Sequence, residues 1–295
     1  MHPQKLGALV IETVDELGYW PVDHQWLLPS STLNAILAEL SWMGPIFVEP
    51  GTHKLVMGLH AYLIRTPRHT ILVDTCCGND KERDGLYPFH RRSTAFLERL
   101  ATAGVHPADV DFVMCTHLHA DHIGWNTRLE NGRWIPTFPN ARYIFSRKEA
   151  DYWAASVAAE TEIPMAIQAY NDSVLPVIEA RQALLVEHDG EAEILGREFR
   201  FFPLNGHTPG HTGLMVTSGD RRALLTGDAI HHPVQFVHPD WGSIGEVDAT
   251  TALVTRRRII DTCLDQDVLL LTGHFPAPTA GHVISQGGSA RFCFS

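Results

Sequence analysis

No run of apolar residues in this chain is long enough to span a membrane. Near the start, Glu12, Asp15 and Glu16 interrupt the apolar stretch before it reaches the length of a signal-peptide core. A soluble, cytoplasmic protein that does not use a membrane is therefore expected. Disulfides are not expected either: the five cysteines (Cys76, Cys77, Cys115, Cys263 and Cys293) are odd in number and have no paired spacing, which suits free thiols. Positive charge is scarce. Lys and Arg number 23 against 34 Asp and Glu, a formal net charge of −11, and such a surface argues against nucleic acid as a partner. The chain has no internal repeat, no low-complexity tract and no Gly-x-Ser-x-Gly elbow, so nothing marks a serine nucleophile.

What is present is material for a large core. Apolar residues make up 44% of the 295 and charged residues 19%. One domain over residues 1–295 is expected, with residues 1–50 as an N-terminal extension. Short apolar or β-branched runs bounded by turn residues predict strands at 55–64, 70–74, 112–115, 142–145, 199–203, 214–217, 223–226 and 268–272. Helical spacing predicts helices at 94–103, at 146–155 with a capping box from Ser146 and Glu149, and at 250–264 after Asp248. Strands mixed with helices make the class α/β. Pro164 and Pro176 break the pattern between Trp153 and Arg181, which reads as a loop or lid over a pocket. The apolar stretch 26–48 either covers a sheet or packs on a second copy of the chain as a homodimer.

Histidine is abundant, at 18 residues, and its placement carries the argument. His117, His207 and His274, together with Asp228, each follow the end of a predicted strand, where α/β folds build their sites. The densest cluster is His117-Leu118-His119-Ala120-Asp121-His122. In an extended loop His117 and His119 point the same way and can share one metal. A turn at Ala120 would let Asp121 and His122 face a second. Four ligands in one loop exceed what a single tetrahedral ion with an open position can use, and fit two ions about 3.5–4 Å apart. At the chain's own His and Asp frequencies such a string arises by chance roughly 0.004 times.

His-x-His-x-Asp-His after a strand resembles the signature of the metallo-β-lactamase superfamily. The further segments that family carries are present: Gly206-His207-Thr208-Pro209-Gly210-His211, Thr226-Gly227-Asp228 and Gly273-His274-Phe275-Pro276. The resemblance implies an αββα sandwich with the metal site at one edge of the two sheets. It implies that His117, His119 and His207 hold one ion, that Asp121, His122 and His274 hold the other, and that Asp228 bridges them. The ions it implies are two Zn²⁺, with Mn²⁺, Co²⁺ or Fe²⁺ also suited to these ligands. It implies a hydroxide generated between the ions as nucleophile, with Asp121 orienting it and moving its proton. His211 is either support behind the ligands or plain packing. Asp74 matches a buttressing turn that is altered here to Asp74-Thr75-Cys76-Cys77-Gly78, in which the two cysteines read as buried small residues.

A bridging Asp228 points away from lactam substrates, and the 21 residues after His274 are read as too few for the helical domain of glyoxalase-II thioesterases. The remaining resemblance is to N-acyl-homoserine lactonases and methyl parathion hydrolases. It implies a small-molecule lactone, carboxylic ester or phosphotriester substrate. Alternatives are a mononuclear iron persulfide dioxygenase and the thioesterase. Where lactonases place a substrate-positioning Tyr, this chain has His231, which either hydrogen-bonds the substrate or lines the loop. Trp125, Trp153, Phe236 and Trp241 are the aromatic candidates for an apolar pocket.

Overall fold

The structure, a computed structural model, describes residues 2–85 and 89–294. The chain opens with β1 (Gln4–Leu6) and β2 (Leu9–Val22), then α1 (His24–Leu27), α2 (Leu33–Ala38) and α3 (Leu40–Phe47), then β3 (Leu55–Arg65) and β4 (Thr70–Val73). Next come α4 (Phe96–Thr102) and β5 (Phe112–Met114), a hairpin of β6 (Thr127–Glu130) and β7 (Arg133–Pro136), then β8 (Arg142–Ser146). After β8 the chain forms α5 (Arg147–Ala158), α6 (Pro164–Ser173), α7 (Leu175–Glu179) and β9 (Ala183–Val186). A first sheet has the order β1-β2-β3-β4-β5-β8-β9. The second sheet collects β10 (Gly190–Glu191), β11 (Phe199–Pro203), β12 (Thr212–Ser218), β13 (Arg221–Leu225), β14 (Val268–Leu271), β15 (Gly281–Gln286) and β16 (Ser289–Phe294), in chain order. Between β13 and β14 lie α8 (Val234–Val237) and α9 (Ala249–Cys263).

Strand periodicity explains the layering. Side chains alternate between faces, and here both faces are buried, so the central strands read as continuous apolar runs. In β4, Ile71 and Val73 meet Phe201, Leu214 and Leu225 of the second sheet, while Leu72 faces the other way onto Phe96 and Leu100 of α4. In β13, Ala223 and Leu225 join that central layer, and Leu224 turns outward to Ile259 of α9. Helices α4–α7 thus cover the first sheet, and α8, α9 and the N-terminal helices cover the second. This is the expected αββα sandwich.

Every predicted strand and helix is present, with ends shifted by a few residues. Residues 1–50, read above as an extension, supply the edge strand β1 and its neighbour β2 in the first sheet and three short helices. The stretch 26–48 covers its own second sheet: Leu27, Ile36, Met43 and Phe47 pack with Leu270, Val283 and Phe292. The loop expected between Trp153 and Arg181 is corrected to helices, because Pro164 and Pro176 occupy first-turn positions of α6 and α7, where a missing N–H costs nothing; its expected place over a pocket agrees with Ile163, Met165 and Ala166, which line a cavity. Among the described residues no helix is long and apolar enough to cross a membrane.

Candidate metal centre

Strands β4, β5 and β8 run parallel, as do β13 and β14. Their carboxyl ends therefore open on common edges, and the candidate ligands lie in the loops there. His117, His119, Asp121 and His122 follow β5 in the first sheet. His207, Asp228 and His274 follow β11, β13 and β14 in the second. The two loop sets meet at one buried centre. Potential ligand atoms of His117, His119 and His207 lie within 4.8 Å of one another, as do those of Asp121, His122 and His274. Asp228 sits between the groups, its carboxylate 3.1 Å from His122 Nε2, 3.1 Å from His274 Nε2, 3.5 Å from His207 Nε2 and 3.8 Å from His117 Nε2. All seven predicted ligand residues are thus brought together.

The rings are aimed by a layer of hydrogen bonds behind them. Asp74 has φ 60° and accepts from Thr116 N at 2.7 Å, from Thr116 Oγ1 at 2.9 Å and from His122 Nδ1 at 2.9 Å. With its own proton given to Asp74, Thr116 Oγ1 is left to accept from His117 Nδ1 at 3.0 Å. His274 Nδ1 lies 3.1 Å from the Gly58 carbonyl. In each case the acceptor fixes the proton on Nδ1 and turns the Nε2 lone pair inward, the arrangement a metal-binding imidazole needs. His211 does the same service for the bridge: Nδ1 donates to Leu204 O (3.1 Å) and Nε2 accepts from Asp228 N (3.3 Å). It supports the centre from behind. Cys76 and Cys77 are buried, as expected, and burial pushes both thiols up.

Unpartnered atoms test whether ions fit here. His117 Nε2, His122 Nε2 and Asp228 Oδ1 are buried without a hydrogen bond, and buried polar groups are ordinarily satisfied. His119 Nδ1 faces His207 Nε2 at 2.9 Å, two nitrogens that compete for one proton. Burial drives His117 and His207 well below the usual histidine range and His119 to about 4, so these rings stay neutral, the form that binds metal. At His122 and His274 burial also opposes charge, but Asp228 and its fellow carboxylates outweigh it and raise both. Asp228 answers to the same pairs: burial raises it, and His122, His274 and His231 together bring it well below the carboxylate range. A buried set of imidazoles around a shared carboxylate with inward orphan atoms matches the chemistry of divalent ions.

Beside the centre opens a cavity of about 420 Å³ with mostly apolar walls. Asp121, His119 and His231 reach it from the centre. Its walls include Trp20, Trp26, Met57, Phe89, Trp153 and Ile163. The expectation for pocket aromatics is corrected here, since of the four candidates Trp153 alone lines the cavity. Trp125 stacks on Phe96, Phe236 on Phe292 and Trp241 on His238, all within the packed layers. His231 lies 3.2 Å from Asp228 Oδ2 through Nε2 and has an unpartnered Nδ1.

Sequence reasoning missed one buried carboxylate at the site. Glu149, read as half of a capping box, receives only the Ser146 part of it, Glu149 N donating to Ser146 Oγ at 3.3 Å. Its own side chain is directed at the ligand loops.

Comparisons with known proteins agree with this geometry. The family model described as the metallo-beta-lactamase superfamily matches residues 57–274. An N-acyl homoserine lactonase of Bacillus cereus is 25% identical over 274 residues, covering 89% of this chain and 94% of that protein. A probable metallo-hydrolase of Mycobacterium tuberculosis is 29% identical over 197 residues, 59% of this chain and 57% of the relative. Among solved structures, a dizinc quorum-quenching lactonase with a bound product superposes with a TM-score of 0.78 at 24% identity, covering 99% of this chain and 96% of the other. A hydrolase in the beta lactamase superfamily gives 0.81 at 20%, with the same coverage.

Proposed function

Because the chain belongs to the metallo-β-lactamase superfamily and is a metal-dependent hydrolase of its lactonase-like branch, we propose that it holds two divalent ions, zinc by preference, and opens lactones or carboxylic esters bearing an apolar acyl group. The observation that carries the dinuclear reading is the division of seven ligands into two triads around Asp228. His117, His119 and His207 would hold one ion, Asp121, His122 and His274 the other, and Asp228 both. When bound, the ions would supply a water acidified to near neutrality and a positive pole for the scissile oxygen.

The chain's own groups do the rest. Asp121 is the more open of the two carboxylates, with its side chain 16% exposed against 4% for Asp228, and it lines the cavity. It takes the proton of the attacking water and returns it to the leaving alkoxide. Once Asp228 is committed to the ions, the His231 Nε2–H is free to donate to the substrate's oxygen, where negative charge develops. The apolar walls hold the acyl group and keep bulk water from the reacting atoms. The lactone preference rests on the Bacillus lactonases, which match nearly their full length to this chain. Metal analysis, with a panel of N-acyl lactones, aryl esters and a phosphotriester on zinc- and manganese-loaded protein, tests the reading. Two ions per chain and turnover of lactone or ester are expected. One ion per chain, with oxygen uptake on glutathione persulfide, would replace it with the iron dioxygenase.

A further inference from the structure

Glu149 lies outside the candidate ligand set yet bonds to two of the loops that carry it. Its side chain is 1% exposed. Oε1 accepts from Leu118 N at 3.1 Å and from Trp153 Nε1 at 2.8 Å. Oε2 accepts from Thr208 Oγ1 at 2.8 Å and from Gly210 N at 3.0 Å. Leu118 sits between His117 and His119 in the first sheet's loop, and Thr208 follows His207 in the second sheet's loop. Trp153 is a cavity wall and stands edge-on to the His119 ring at 5.7 Å. One carboxylate therefore ties together two ligand loops from different sheets and the indole beside them. The contact is tight: a Cβ built on Gly210 would come within 2.2 Å of Glu149 N, so the second loop is pressed against the start of α5.

Only an acceptor without protons can serve four donors at once. An amide of the same shape has one oxygen and an NH₂. Turned one way it leaves the Gly210 N–H facing N–H; turned the other way it opposes Leu118 N and Trp153 Nε1. Thr208 can rotate its hydroxyl to accept, but a backbone N–H cannot, and a buried unpaired donor is costly. We propose that Glu149 is a positioning residue that sets the spacing of the two ligand loops and, through it, the affinity of the centre for its ions. This rests on the metal-holding reading above.

The test uses the full chain, stripped of metal and titrated with zinc against a chromophoric chelator, alongside amide hydrogen exchange of segments 116–122 and 206–211 in the metal-free state. Glu149→Gln is expected to lose about 10- to 100-fold in zinc affinity and to exchange faster in both segments, while circular dichroism stays that of the parent. Thr208→Val, which removes one donor and leaves the carboxylate, is expected to lose less than about tenfold. A folded Glu149→Gln protein with parental zinc affinity and exchange overturns the proposal. Should that variant not fold, Thr208→Val and Trp153→Phe decide: a graded loss supports the proposal and no loss in either overturns it. Failure of the parent to bind zinc would sink the metal reading instead, and the exchange rates would still judge the loop tie.

Discussion

Asp74 occupies a left-handed backbone position that Asp and Asn tolerate better than most residues, and from it one carboxylate directs Thr116 and His122 together. Asp74→Asn keeps that backbone conformation but sets an NH₂ against one of its donors. Zinc affinity by chelator competition should fall about 10- to 100-fold. His231 gives a contrasting expectation. His231→Phe should leave two ions per chain and lower kcat/KM about 10²-fold, the scale of a lost donor at developing charge; a fall in metal content would instead make it a ligand. At this scale the sequence singled out the candidate ligands, which the fold gathers at one centre, because imidazoles two apart after a strand have few other uses. It did not show Glu149 or Glu16. Glu16 is also buried and accepts from Cys77 N, Trp125 Nε1 and Thr94 Oγ1. An acidic residue in a strand or first helical turn reads as solvated, and only tertiary packing encloses it.

Elements were legible where their period was regular. β3, β4, β13 and β14 are buried on both faces and stand out as apolar runs, and Asp248 caps α9 through Thr250 N and Thr251 N. β2 was not legible: register shifts between Asp15, Leu17 and Trp20 interrupt its alternation, so its two faces exchange partway along. The glycines of the Gly-His-Thr-Pro-Gly-His segment are explained at this scale. Gly206 has φ 126°, and Gly210 meets α5 too closely for any side chain. Gly210→Ala should cost more than about 2 kcal/mol in urea unfolding. The loop after β4 is fastened by Lys81, which donates to Thr127 Oγ1 (2.6 Å) and the Asp172 carbonyl (3.1 Å) and lies 3.5 Å over the Trp134 ring. Burial lowers Lys81 from 10.5 to about 7. Between those values the unfolded chain binds the extra proton, so stability rises with pH across that window and is lost again as pH falls through 7. Lys81→Met should flatten this rise in denaturation midpoints measured from pH 6 to 10.

At the scale of the whole molecule, the sandwich places the cavity beside the line where the two sheets meet, and the strand pattern made that architecture readable while the cavity walls were not. Those walls come from segments far apart in sequence, from Trp20 to Val247, and nothing local marks Trp26 as a wall and Trp125 as core. Four candidate ligands hang from one sheet and three from the other, so bound ions would clasp the two layers across their open edge. On the proposed zinc reading, stability would follow the surrounding zinc. By mass action, each tenfold excess of free ion over its dissociation constant adds about 1.4 kcal/mol to the folded state. Chelation should lower the melting temperature, and the midpoint should climb with the logarithm of added zinc. If zinc is the ion held, a cell short of it would lose the protein to unfolding and proteolysis as well as lose its activity, and the amount of folded enzyme would track the supply.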